Sequence, residues 1–252
     1  MYRQALGAYR ELPPVPALRE HLACVWFRAM EPGEPSRSQL VLPDGCVDIV
    51  WLAGQPLFVA GPDTGPVLAE LEPGSLLVGA RFLPGRAPAL LGHAASDLRD
   101  ARSSLAALWG SAAARRLEES DAAGSMPAMV AVLQAELSGR LAWSRPAEPW
   151  TELVVRWAAR RLPSGLDRLA ADLALGERQL RRRVEERFGY GPATLRRVLR
   201  LQRLLRLAAR HPWSLAELAA AAGYADQAHM TRECRRLAGL TPVSLLAGRR
   251  PR

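Results

Sequence analysis

Near its carboxyl end the 252-residue chain writes one pattern twice. The first copy runs from Leu166 to Leu173, turns through Leu175-Gly176-Glu177, continues from Arg178 to Phe188 and stops at Gly189-Tyr190-Gly191-Pro192. The second runs from Ser214 to Ala222, turns through Gly223-Tyr224-Ala225-Asp226, continues from Gln227 to Leu237 and stops at Gly239-Leu240-Thr241-Pro242. A short helix, a glycine-bearing turn, a second helix and a Gly-x-x-Pro stop make the layout of a helix-turn-helix. Ser214 with Glu217 three residues on is a capping box. Asp226 stands where the last long helix needs an N-cap. Between the copies, Pro192 opens a helix over Ala193 to Arg210. Its Leu195, Val198, Leu199, Leu205 and Ala208 share one stripe, which holds the two modules in fixed relation.

The second helix of each copy is two-faced at about 100° per residue. In the first, over 177–187, Leu180 and Val184 point one way and Arg178, Arg181, Arg182 and Glu185 the other. In the second, over 227–237, Met230, Cys234 and Leu237 are opposed by Ala228, Arg232 and Arg235, with Thr231 and Arg236 flanking. A helix lying in a major groove needs one face packed on its own domain and arginine on the other, since guanidinium bonds guanine O6 and N7. The alternative is a solvated basic face on an ordinary bundle, against which two copies in register weigh heavily. The offset from Arg182 to Arg232 suits two helices meeting successive grooves about 34 Å apart.

Charge divides the chain in the same place. Every basic side chain is arginine, and 34 of them face 25 acids. Up to residue 147 the net charge is −2; beyond it the net is +11. A basic half of that size faces a polyanion. A GC-rich coding sequence would explain arginine in place of lysine, but not the asymmetry. Arg196, Arg197, Arg200, Arg235 and Arg236 are candidates for phosphate contacts, which position a protein without specifying sequence.

The last hundred residues resemble the DNA-binding domain of the AraC/XylS family of bacterial transcriptional regulators. The resemblance rests on Gly223 through Arg232 with Gly239-Leu240-Thr241-Pro242, and on Arg178-Gln179-Leu180-Arg181-Arg182 with Phe188-Gly189-Tyr190-Gly191-Pro192. It implies seven helices, two helix-turn-helices and asymmetric binding to a promoter on double-stranded DNA, often with bending. By position it makes Arg178, Arg181 and Arg182 base readers in the first module and Gln227, Ala228, Thr231 and Arg232 in the second. Val184, Met230 and Cys234 depart from the family's larger apolar residues. Ala228 offers a thymine methyl only a methyl, and Glu185 repels phosphate unless it pairs with Arg181 or Arg182.

Residues 1–90 alternate short apolar runs (40–42, 47–52, 57–60, 76–79) with turns such as Pro43-Asp44-Gly45 and Glu72-Pro73-Gly74. That spacing predicts an antiparallel barrel or sandwich. Residues 17–27 read as either helix or first strand. Helices are expected over 103–117 and 126–137. The expected fold is therefore α+β: a small β-barrel plus helices over 1–140, a linker over 141–149, and an all-α domain over 150–252. Val41 through Val50, with Ala60-Gly61-Pro62 and Val78 through Gly85, resembles a cupin-like sensor domain of a subgroup of these regulators. A barrel mouth suits a small effector. Trp26, Trp51, Phe58 and Phe82 are candidates to line it, with Asp48, Arg81 and His93 as polar anchors; core packing of the aromatics is the plainer alternative.

Cys24, Cys46 and Cys234 form neither a disulfide framework nor a zinc cluster. A thiol- or metal-responsive domain at Cys24 and Cys46, or a Cys-based enzyme fused to a DNA-binding tail, is the rival reading, with only His21 and His93 to add nitrogen ligands. No nucleophile elbow or phosphate loop is present. The expectation is a non-enzymatic cytoplasmic regulator without cofactor or metal. Its partners would be DNA, a small effector, RNA polymerase and, through the helices at 103–118 and 126–137, a second copy; no apolar run suggests a signal peptide or membrane span.

Overall fold

The computed structural model describes residues 9–120, 125–144, 148–160 and 165–247. Met1 through Gln4 and part of the expected linker, residues 145–147, lie outside them. The amino-terminal half contains strands β1 (Arg10–Leu12), β2 (Leu22–Ala29), β3 (Arg37–Val41), β4 (Asp48–Leu52), β5 (Phe58–Ala60), β6 (Val67–Leu71), β7 (Leu76–Phe82) and β8 (Arg102–Ser104). Six of them pair in the order β1-β2-β7-β4-β5-β8, while β3 and β6 form a separate ribbon. All pairings are antiparallel. The expected α+β arrangement is present, but the small barrel expected in this half does not close: it is a six-stranded sheet and a two-stranded one. The ambiguous segment at 17–27 resolves into a single 3-10 turn at Pro16–Leu18 followed by β2.

Successive side chains along a strand face opposite ways, and the large sheet uses both faces. One carries Val25, Ile49, Trp51, Val78, Ala80 and Phe82 into the main core of this half. The other carries Cys24, Trp26 and Val50, with Phe58 and Leu77 against them. Gly79 lies on this second face, where a Cβ would fall inside the Trp26 indole. A residue without a side chain is therefore needed for the ring to lie across β7.

Helix α1 (Ala87–Leu91) follows the sheet, and α4 (Met126–Leu141) lays Met129, Val130, Leu133 and Leu137 on its core face. The helix expected over 103–117 is instead β8, then α2 (Leu105–Trp109), then α3 (Ser111–Ser120), parted at Gly110. Its first residues extend because Phe58↔Ser104 pairing completes the edge of the sheet.

Seven helices follow residue 148 among the described residues: α5 (Pro149–Ala159), α6 (Leu166–Asp172), α7 (Glu177–Phe188), α8 (Pro192–Ala208), α9 (Leu215–Ala222), α10 (Gln227–Ala238) and α11 (Pro242–Leu246). They enclose a second core, to which α8 contributes Leu195, Val198, Leu201, Leu204, Leu205 and Ala208. Burial of this stripe on both modules makes α8 the strut between them. No described helix is long and apolar enough to cross a membrane.

The two halves pack closely. Gln202 Nε2 on α8 donates to the Pro43 carbonyl at 2.7 Å. The Phe188 ring lies against Gly85, and the Leu42 side chain packs on the carboxyl-terminal core.

Candidate nucleic-acid interface

Each module builds its second helix from local signals in the sequence. The Ser214 hydroxyl accepts from the Glu217 amide at 3.3 Å while the Glu217 carboxylate accepts from the Ser214 amide at 2.7 Å, closing the capping box at α9. Asp226 Oδ1 accepts from the His229 amide at 2.6 Å and starts α10. Both α7 and α10 end at left-handed glycines, Gly189 and Gly239, as the αL cap requires. Replacing Ser214 by alanine removes one capped amide, so stability should fall by about 1 kcal/mol; the denaturation midpoint checks this, and no change would mean the cap is idle.

Leu180 and Val184 on α7, and Met230 and Cys234 on α10, are fully buried, at 0% exposure. Arg178, Arg181 and Arg182 on α7 are exposed, as are Gln227, Ala228, Arg232, Arg235 and Arg236 on α10. Thr231 is half-buried, and its hydroxyl donates back to the Gln227 carbonyl at 2.9 Å. Arg181 pairs with Glu177 at 3.4 Å and Arg182 with Glu186 at 3.7 Å. Exposed pairs of this kind are worth about 0.3–0.5 kcal/mol, so they hold the two guanidinium groups only weakly.

Arg196, Arg197 and Arg200 are less free. Arg196 lies over the Trp157 ring at 5.4 Å, and Arg200 over Tyr224 at 5.3 Å. Arg197 reaches Glu233 at 3.6 Å. Glu185 meets neither Arg181 nor Arg182; its Oε1 accepts from Arg99 Nη1 at 3.1 Å, across 86 residues of sequence. Nothing in the sequence pattern points to that partner.

A cavity of about 1130 Å³ opens on the second face of the large sheet, roofed by the β3–β6 ribbon and by α5 and α8. Trp26, Asp48, Phe58 and Arg81 line it. Trp51 and Phe82 lie on the opposite, core face at 0% exposure, because their strand positions have the other parity. His93 lies outside the lining, its Nε2 donating to the Leu108 carbonyl at 3.4 Å. Residues that sequence reasoning missed complete the walls: Tyr9, Arg28 and Leu77 from the sheet half, and Leu199, Gln202 and Arg206 from α8.

The polar end of the cavity is built around Asp48. Its Oδ2 accepts from Trp26 Nε1 at 3.0 Å and from Arg81 Nη2 at 2.9 Å, and its Oδ1 from Arg81 Nε at 3.1 Å. The Asp48 carboxylate holds the Arg81 guanidinium well above its ordinary pKa. Asp44 accepts from the Cys46 amide at 2.8 Å, and burial raises its carboxyl against the opposing pull of Arg81. Burial pushes the Cys24 thiol up to about 12 and the Cys46 thiol well above its usual range. Both line the cavity, and a raised pKa disfavours the thiolate, which is the reactive form. Among the described residues, no three His, Cys, Asp or Glu side chains converge as metal ligands.

Residues 169–247 match the model of a family described as a helix-turn-helix domain, and residues 10–104 one described as a domain of unknown function. No curated protein matches the chain. Among solved structures, the chain is similar to a transcriptional regulator with an AraC-type DNA-binding domain from Chromobacterium violaceum. The identity is 22% and the TM-score 0.36, over 40% of this chain and 96% of that one. It is similar to ToxT from Vibrio cholerae at 10% identity and a TM-score of 0.46, over 95% and 98% of the two chains. A fatty-acid-bound form of ToxT from Vibrio cholerae strain SCE256 gives 12%, 0.44, and 99% and 100% coverage.

Proposed function

We propose, from the match of residues 169–247 to a helix-turn-helix domain family and the sequence's resemblance to AraC-type regulators, that this chain is a sequence-specific transcriptional regulator reading two successive major grooves with α7 and α10. One observation carries the reading: both helices hide their apolar side completely while presenting Arg178, Arg181, Arg182 and Arg232 outward. Those arginines, with Gln227, Ala228 and Thr231, are the base readers. Arg235 and Arg236 are the freer phosphate contacts, and Arg196, Arg197 and Arg200 leave their present partners to join them. Residues 150–252 are the DNA-binding unit, 141–149 the connection and 1–140 the sensor. DNA places the protein in the cytoplasm beside RNA polymerase, and α2–α4 offer a surface to a second copy. No catalytic step is assigned to it.

The effector belongs in the cavity. Trp26, Phe58 and Val50 give it an apolar floor and Asp48–Arg81 a polar end, a composition typical of small-molecule sites. Because α8 forms part of the wall, an occupant touches the strut between the two modules. A thiol-responsive sensor is the second reading. Cys24 and Cys46 both face the cavity, but their raised pKa values disfavour it.

Selection of random duplexes by the full chain tests the assignment. It should enrich one motif with two half-sites a helical turn apart, and log affinity should fall against log salt with a slope of about −5, as for some six phosphates. No enriched motif, or a flat salt response, would overturn it.

A further inference from the structure

We propose that Arg99, in the amino-terminal half, is a positioning residue of the DNA-binding surface: it neutralises Glu185 on the groove face of α7, so that full affinity for DNA requires the two halves docked. The proposal rests on the reading of α7 as a DNA-reading helix. Glu185 is half-exposed, and within its own helix it has no cationic partner among the described residues. Arg181 and Arg182, the neighbours able to serve it, are engaged with Glu177 and Glu186. Arg99 Nη1 instead reaches Glu185 Oε1 at 3.1 Å and the Gly189 carbonyl at 3.2 Å. It thus places a cation at the carboxyl end of α7, where the helix dipole also favours one.

The backbone beside Arg99 is tied to the loop at 62–64. Thr64 donates to Asp100 through its amide at 2.6 Å and its hydroxyl at 2.8 Å. The Asp100 amide donates to the Pro62 carbonyl at 3.3 Å. Gly189, with φ +82°, lies so close that any Cβ would run into the Pro62 ring and approach the Ala95 carbonyl to 3.0 Å. Beside this contact, Arg99, Arg181, Arg197 and Arg236 border one cleft of about 790 Å³. The amino-terminal half, both modules and the strut therefore share a cationic surface. Asp100 also borders the cleft, engaged by Thr64. Undocking removes one positive charge from this surface and uncovers one negative charge.

The test is a double-mutant cycle in the full chain, read by titration of the selected duplex at low salt. Arg99→Ala should weaken binding about five- to tenfold, with the deficit shrinking as salt screens it. Arg99→Gln, which keeps a donor for the Gly189 carbonyl, should lose about as much. Glu185→Gln should bind about two- to threefold more tightly than the unaltered chain, and adding Arg99→Ala to it should change affinity by less than about twofold. Melting temperatures should coincide, because an exposed ion pair contributes little to stability. If Arg99→Ala binds as well as the unaltered chain, or loses the same factor in the Glu185→Gln background, the proposal is overturned. Failure of the unaltered chain to bind any duplex would instead remove the DNA-reading function beneath it.

Discussion

Replacing Arg182 and Arg232 together by alanine should abolish preference for the operator while leaving weak binding to unrelated DNA. Each arginine lies exposed on the outer face of its helix, opposite fully buried Leu180 and Val184 or Met230 and Cys234. A bidentate arginine–guanine contact is worth about 1–3 kcal/mol of discrimination. The two residues sit on different modules, so their effects should add. The combined loss is then about 2–6 kcal/mol, from roughly thirtyfold to more than ten-thousandfold. Titration against operator and scrambled duplexes at one salt concentration measures it. Equal losses on both would show that the two side chains touch phosphate only.

Phe188→Ala should be the most damaging single change to stability, at about 3–5 kcal/mol. The ring is fully buried at the end of α7 and meets Trp150 edge-on, centroids 6.5 Å apart. It also fills the space over Gly85, where a Cβ would approach it to 2.8 Å. Truncation therefore opens a void in the carboxyl-terminal core and at the seam between the halves at once. Chemical denaturation measures the cost, and the two halves should begin to unfold separately. A loss below about 1 kcal/mol would mean that the seam closes around the missing ring.

The two helices with outward arginines are legible in the sequence because their information is local. A 3.6-residue period separates Leu180 and Val184 from Arg178, Arg181 and Arg182, and Ser214, Glu217 and Asp226 mark helix starts by side-chain chemistry alone. The sheet was less legible. Asp48-Ile49-Val50-Trp51 is apolar on both parities after its first residue, so the sequence does not say which face meets the cavity. Trp51 and Phe82 are candidates for the pocket with core packing as the plainer alternative, and the structure turns both to the core. The barrel was a matter of closure, which depends on pairings between distant strands. Val67–Leu71 is apolar at four of five positions, so its alternating burial is not legible in the sequence, and its ribbon with β3 covers the cavity without joining the large sheet. The helix over 103–117 failed at Gly110 and at the edge pairing of Ser104 with Phe58. The partner of Glu185 was out of reach for the same reason: Arg99 is brought to it only by docking of the two halves.

Helix α8, with its 17 residues, is a rod about 25 Å long. Helices α7 and α10 share one core with it, so on the proposed reading it fixes the span between the two DNA-facing helices. An operator whose spacer grew by five base pairs would turn its second groove roughly half a revolution away, and a rod of this stiffness could not follow. The same rod borders the cavity, so on the proposed reading an effector lodged there would bear on the spacing of both modules together.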